Sequence, residues 1–170
     1  MSRFQNNDPS RRRHFRQDAG GERPIVVVML FPSHYLLVDD SPQDRLLAQE
    51  AFELICPSCT LTCVGSGREA LALFDDPTFG PDVILLDLNM PGMNGFEVLT
   101  ALKNDPRMGR IPVVMLSTSN AQQDINEAYT LHASSYLVKS ANFAEFLKQV
   151  ETFLNYWQLN RTIRDAGQLS

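Results

Sequence analysis

The sequence has 170 residues, 44% of them hydrophobic and 21% charged, with a net charge of −5. That is enough chain for one domain with a buried core, and the acidic balance argues against general affinity for nucleic acid. No apolar run reaches the ~18 residues that would span a bilayer, and no secretory signal precedes Cys56, Cys59 and Cys63, which suits a reducing cytoplasm.

Residues 1–33 carry Arg3, Arg11, Arg12, Arg13, Arg16 and Arg23 among Asn, Gln, Gly and Pro. Over 1–24 that composition cannot bury a core and reads as a disordered basic arm. Its Arg-Arg-Arg-His-Phe-Arg stretch has the charge to touch phosphate or nucleic acid, yet a solvated tail is the expectation. The apolar run Ile25 to Phe31 just before the first strand is explained if the natural chain starts at Met29.

From Tyr35 the pattern is regular. Leu36-Leu37-Val38 predicts a short strand ending in Asp39-Asp40. Ser41-Pro42-x-Asp44 opens a helix, with Ser41 as cap, Pro42 at the first position and an acid at the third. Leu47, Ala51, Leu54 and Ile55 are its expected inward face, and Pro57 stops it. Thr60 to Val64 alternate as a second strand. A structural zinc site wants four ligands and no His lies near the cysteines, so they are read as buried small side chains. Ser66-x-x-Glu69 repeats the capping pattern for a short helix packed by Ala70, Leu71 and Phe74.

Val83 to Leu86 are apolar on both faces, the mark of a strand buried on both sides of a parallel sheet. They run into Asp87, and a Pro-Gly turn follows. Phe96, Leu99 and Leu102 face a third helix inward, stopped at Asp105-Pro106. Val113 to Leu116 form a fourth buried strand ending in Ser117-Thr118-Ser119. Ile125, Ala128 and Leu131 mark a fourth helix. Ser135 to Val138 form a fifth strand ending in Lys139, and Phe143, Phe146, Leu147, Val150, Phe153, Leu154 and Trp157 space the last helix. Five strands alternating with five helices predict an α/β fold, a five-stranded parallel sheet ordered 2-1-3-4-5 and doubly wound by its helices.

In that order Asp39, Asp40, Asp87, Ser117 and Lys139 all follow strand ends and meet in one cleft at the switch between strands one and three. Three adjacent carboxylates repel one another, and a hard divalent cation such as Mg²⁺ relieves them. A lysine and a hydroxyl beside it can share the charge of a phosphoryl group transferred to Asp87. Helix caps with a Lys–Asp ion pair are the plainer alternative, but they leave the doubled acid after a buried strand unexplained.

Over about residues 34–155 the chain resembles the response-regulator receiver domain of two-component signalling, the CheY-like fold. The matching stretches are Leu37-Val38-Asp39-Asp40-Ser41, Leu86 through Gly95, Leu116-Ser117-Thr118 and Tyr136-Leu137-Val138-Lys139. The resemblance implies that a histidine kinase phosphorylates Asp87. It also implies that Asp40, Asp87 and the Asn89 backbone carbonyl hold Mg²⁺ with Asp39 assisting through water, and that Lys139 pairs with Asp87. Ser117 then takes the place of the switch threonine and Tyr136 that of the aromatic that swings inward, while Thr118 beside the phosphoryl site crowds attacking water. Two departures stand out: Ser117 lacks the threonine methyl, and Ser140 stands where a receiver usually has proline after a cis bond.

Ile125 through Ala133, Val138 through Asn142 and Phe153 through Trp157 are similar to the small stand-alone regulators of bacterial phytochrome kinases. That likeness implies a light-regulated kinase as partner and a homodimer through the last helix and a tail of residues 156–170, around Tyr156 and Trp157. After Lys139 there is no room for a DNA-binding or catalytic output domain, so output by protein contact is expected, without direct nucleic-acid or membrane binding. The chain is expected to be no enzyme beyond its own phosphorylation and dephosphorylation. A receiver that signals without phosphate is one alternative. An aspartate-nucleophile phosphatase is another, but it would carry Asp-x-Asp after its first strand and a cap domain.

Overall fold

The computed structural model describes residues 33–140 and 142–160, excluding the side chains of 143 and 158–160. The expected basic arm, the start at Met29 and the far end of the tail lie outside the described residues.

Ten elements alternate: β1 (His34–Val38), α1 (Pro42–Ile55), β2 (Thr60–Val64), α2 (Gly67–Leu73), β3 (Val83–Asp87), α3 (Gly95–Asn104), β4 (Val113–Ser117), α4 (Gln122–Thr130), β5 (Ser135–Val138) and α5 (Phe143–Asn160). All strands pair in parallel in the order β2-β1-β3-β4-β5, so the fold is the doubly wound sheet the alternation predicts. The central β3 is buried at every position, whereas the edge strands β2 and β5 contain none that is fully buried.

Strand side chains alternate between the two faces, and each face feeds its own core. Tyr35, Leu37, Val83, Leu85 and Val114 pack with Ala48, Ala51 and Phe52 of α1 and with Val150, Phe153 and Leu154 of α5. Leu36, Val38, Ile84, Leu86, Val113 and Met115 pack with residues of the other three helices, among them Ala70, Val98, Leu99 and Ala128. The inward face of α1 is rotated from the one the sequence suggests. It is Ala48, Ala51 and Phe52, while Leu47 and Leu54 are exposed and Leu54 keeps 71% of its surface. Phe52 wins the inward place because its ring meets Tyr35 edge-on at 5.1 Å, and an aromatic buries more area there than a leucine.

The caps of α1, α2 and α3 differ in detail. Ser41 accepts from the Asp44 N–H (3.2 Å) and Ser66 from the Glu69 N–H (3.2 Å), but the Glu69 carboxylate accepts from Gly65 rather than from its own cap. The complete reciprocal box sits on α3, between Asn94 and Glu97. The cysteines also differ from expectation. Cys56 and Cys59 are joined in a disulfide, leaving Cys63 as the free thiol. Cys56 ends α1, and the turn through Pro57-Ser58 lets the Cys59 N–H donate to the Cys56 carbonyl at 2.9 Å, which brings the two Cα atoms to 5.4 Å. Among the described residues no helix is long and apolar enough to cross a membrane.

Candidate functional site

The cleft forms where the carboxyl ends of β1, β3, β4 and β5 meet. Asp39 follows the last residue of β1, Asp87 closes β3, Ser117 closes β4 and Lys139 follows β5. The backbone holds these ends in register: the Asp39 N–H donates to the Val64 carbonyl (3.1 Å) and the Lys139 N–H to the Ser117 carbonyl (2.7 Å). One ligand oxygen from each of Asp39, Asp40 and Asp87 lies within 4.8 Å of the others. Asp39 and Asp87 are buried, while Asp40 is partly exposed. Such an all-oxygen donor set on one open side fits a hard divalent cation.

Lys139 binds this cluster together. Its Nζ lies 2.6 Å from Asp39, 3.0 Å from Asp44 and 3.3 Å from Asp87. The sequence reading pairs it with Asp87 alone; here its shortest contact is Asp39, and Asp44 joins from the first turn of α1. Asp39 also accepts from the Ser41 N–H (2.9 Å), and the Arg45 guanidinium donates to the Asp39 carbonyl (2.6 Å). Burial pushes the Asp87 carboxyl up to about 6, with the charges of Asp39 and Asp40 adding to the rise and Lys139 opposing it. Burial pulls the Lys139 ammonium down, but its hydrogen bond to Asp39 and the charges of Asp39 and Asp87 outweigh that and hold it above the ordinary lysine range.

Ser117 is fully buried and its hydroxyl accepts from the Ser119 N–H at 3.0 Å, with the Asn89 side-chain amide 3.4 Å away. Asn89 itself is exposed on the loop after Asp87, and Thr118 is exposed beside Ser117. Tyr136 is half-buried against the core and donates its phenol to the Ser119 carbonyl at 2.9 Å. All the residues singled out from strand ends therefore surround one cleft. Sequence reasoning missed two participants. Asp44 was read only as a helix-start acid, and Gln149 of α5 donates to the Val138 carbonyl just before Lys139 (2.8 Å). The turn after Asp87 needs Gly92, whose φ is +77°, and Gly95, where a Cβ would lie 2.4 Å from the Asp87 carbonyl oxygen.

The comparisons agree with this geometry. The response regulator receiver domain family matches residues 35–151. The response regulator Rcp1 of Synechocystis sp. is 37% identical over 131 residues, covering 74% of this chain and 89% of the relative. A probable methanogenesis regulatory protein, FilR2 of Methanothrix harundinacea, is 35% identical over 130 residues, covering 74% of this chain and 84% of the relative. Among solved structures, the phosphorylated cyanobacterial phytochrome response regulator RcpA superposes with a TM-score of 0.71 at 37% identity, covering 78% of this chain and 97% of that one. The Mn²⁺-bound form of Rcp1 gives 0.70 at 36% identity, with 78% and 99% covered. Fold, cleft and similarity converge, and the chain belongs to the response regulator receiver domain family.

Proposed function

We propose that the protein is a phosphorylation switch that accepts a phosphoryl group on Asp87 from a histidine kinase and signals through protein contacts. The observation that carries this is the buried Asp87 carboxylate with two more acids within 4.8 Å and a lysine ammonium at 3.3 Å. An Oδ atom of Asp87 attacks the donor phosphorus, forming an acyl phosphate O–P bond as the P–N bond of the donor phosphohistidine breaks. Asp39, Asp40, Asp87 and the Asn89 backbone carbonyl would hold Mg²⁺, which supplies charge neutralisation in the cleft. Lys139 is charged throughout and neutralises part of the transferred charge once Asp87 is phosphorylated. The Ser117 hydroxyl, now accepting from Ser119, turns to donate to the phosphoryl oxygens, and Tyr136 follows into the space it leaves.

The kinase is of phytochrome type. This rests on the likeness to RcpA, a cyanobacterial phytochrome response regulator, and to the bacteriophytochrome response regulator AtBRR, which covers 79% of this chain at 30% identity and a TM-score of 0.60. The output is a homodimer built on α5 around Tyr156 and Trp157. The chemistry of the protein ends with its own phosphorylation and dephosphorylation, so it is a switch and not a turnover enzyme.

The test is the intact mass after incubation with Mg²⁺ and acetyl phosphate, for wild type and Asp87→Asn. One added phosphoryl group, lost with EDTA and absent from the variant, is expected. No adduct in either protein, with a phytochrome-type kinase also supplied, would leave a phosphate-independent scaffold as the better reading.

A further inference from the structure

The geometry points to Gln149 as a positioning residue for Lys139, an assignment that rests on the proposed phosphoryl transfer to Asp87. The ammonium of Lys139 has to meet a carboxylate on β3 from a chain that has just left the edge strand β5. Its own N–H is tied to the Ser117 carbonyl. The two backbone groups flanking it, the Val138 carbonyl and the Ser140 N–H, lie beyond the β4 ladder, which ends at the Ser117–Val138 pair.

Gln149 takes both. Its Nε2 donates to the Val138 carbonyl at 2.8 Å, and its Oε1 accepts from the Ser140 N–H at 3.3 Å. A carboxamide offers a donor and an acceptor side by side, and the partners fix which way it points, since a carbonyl only accepts and an N–H only donates. The clamp is reinforced one turn earlier, where the Ser140 hydroxyl donates to Glu145 at 2.6 Å.

Packing does not hold this stretch. A cavity of about 450 Å³ runs beside it, lined by Leu116, Lys139, Ser140, Phe146, Gln149 and Val150. Hydrogen bonds from α5, together with the one from the Lys139 N–H to the Ser117 carbonyl, therefore set where the Lys139 backbone sits. A proline at 140 would lack the N–H that Gln149 binds and would fix the local backbone by its ring. Serine at 140 and glutamine at 149 thus form one device, which also ties α5, the element of the proposed dimer, to the phosphoryl site.

The test is the rate of adduct formation with acetyl phosphate and Mg²⁺, followed by intact mass on the full chain. Gln149→Leu is expected to slow it by about tenfold or more, because an ångström of misplacement costs up to ~100-fold, with the melting temperature little changed. Gln149→Glu, which keeps the acceptor but sets a carboxylate against the Val138 carbonyl, is expected to lose rate in the same way. In a Lys139→Ala background Gln149→Leu should cost nothing further, and Ser140→Pro should restore most of the rate to Gln149→Leu. A rate unchanged by either Gln149 substitution overturns the assignment. So does the same fold-loss with and without Lys139, which would make Gln149 merely structural. No adduct in wild type would instead strike the proposed phosphorylation itself.

Discussion

Asp87 is the residue on which the physics is sharpest, because it is buried among like charges with one lysine to answer them. A carboxyl whose folded pKa lies above its unfolded value stabilises the fold below the unfolded pKa and loses that stability as pH rises through the folded one. With a usual value of 3.8 and a folded value of about 6, ionised Asp87 costs the metal-free protein up to ~3 kcal/mol above pH 6. Asp87→Asn is therefore expected to be more stable than wild type in EDTA at pH 8 by about 2–3 kcal/mol, with the gain gone by pH ~4. Urea unfolding at the two pH values checks this; a variant no more stable at pH 8 would mean that Lys139 already neutralises the site. Adding Mg²⁺ should raise wild-type stability and leave the variant nearly unmoved. Thr118 makes a second prediction at this scale. It is exposed next to the buried Ser117, and on the proposed function its bulk would narrow the approach of water to phosphorylated Asp87. Thr118→Ala should shorten the phosphorylated lifetime severalfold, followed as loss of the mass adduct. An unchanged lifetime removes Thr118 from the mechanism.

At the scale of elements, the site depends on how closely α3 approaches the end of β3. The Gly95 N–H donates to the Leu88 carbonyl at 2.9 Å, and a Cβ at 95 would meet the Asp87 carbonyl oxygen at 2.4 Å and the Leu88 Cα at 2.7 Å. Both are backbone atoms and neither can swing aside. Gly95→Ala should thus destabilise by about 2–3 kcal/mol and slow phosphoryl transfer by shifting Asp87, as read by thermal unfolding beside the adduct rate. Strand order and the strand-end acids were legible in the sequence because β3 and β4 are apolar on both faces and each ends abruptly in a polar residue. The α1 face was misread because both leucines and Phe52 fit a helical stripe, and only the Tyr35 ring on β1 chooses between them. The Asp44 contact was hidden for another reason. It joins residues 95 positions apart, and no local pattern encodes which carboxylate a lysine reaches. Asn94-x-x-Glu97 was readable as a capping box and was passed over. The Gln149 clamp depends on how α5 lies against β5, which sequence spacing does not give.

For the whole molecule, the question is what the far end of α5 does. Helix α5 runs to Asn160, about 27 Å at 1.5 Å per residue, and among the described residues its last buried core residue is Leu154. Beyond it, Trp157 packs on Phe153 with ring centroids 6.2 Å apart, and Tyr156 meets Trp157 edge-on at 5.6 Å. Tyr156 nevertheless keeps 57% of its surface exposed. A tyrosine held rigid by a neighbouring indole loses little entropy on burial, the property that makes such residues anchors of interfaces. If α5 pairs with its copy in a second molecule, Tyr156→Ala should weaken the dimer by about tenfold or more without lowering the melting temperature of the subunit. Sedimentation over a concentration series separates the two effects. Because Gln149 lies on the same helix, two turns before Tyr156, the dimer should tighten or loosen when Asp87 is phosphorylated. A wild-type protein that stays monomeric at high micromolar concentration, with and without phosphate, would move the output to another face.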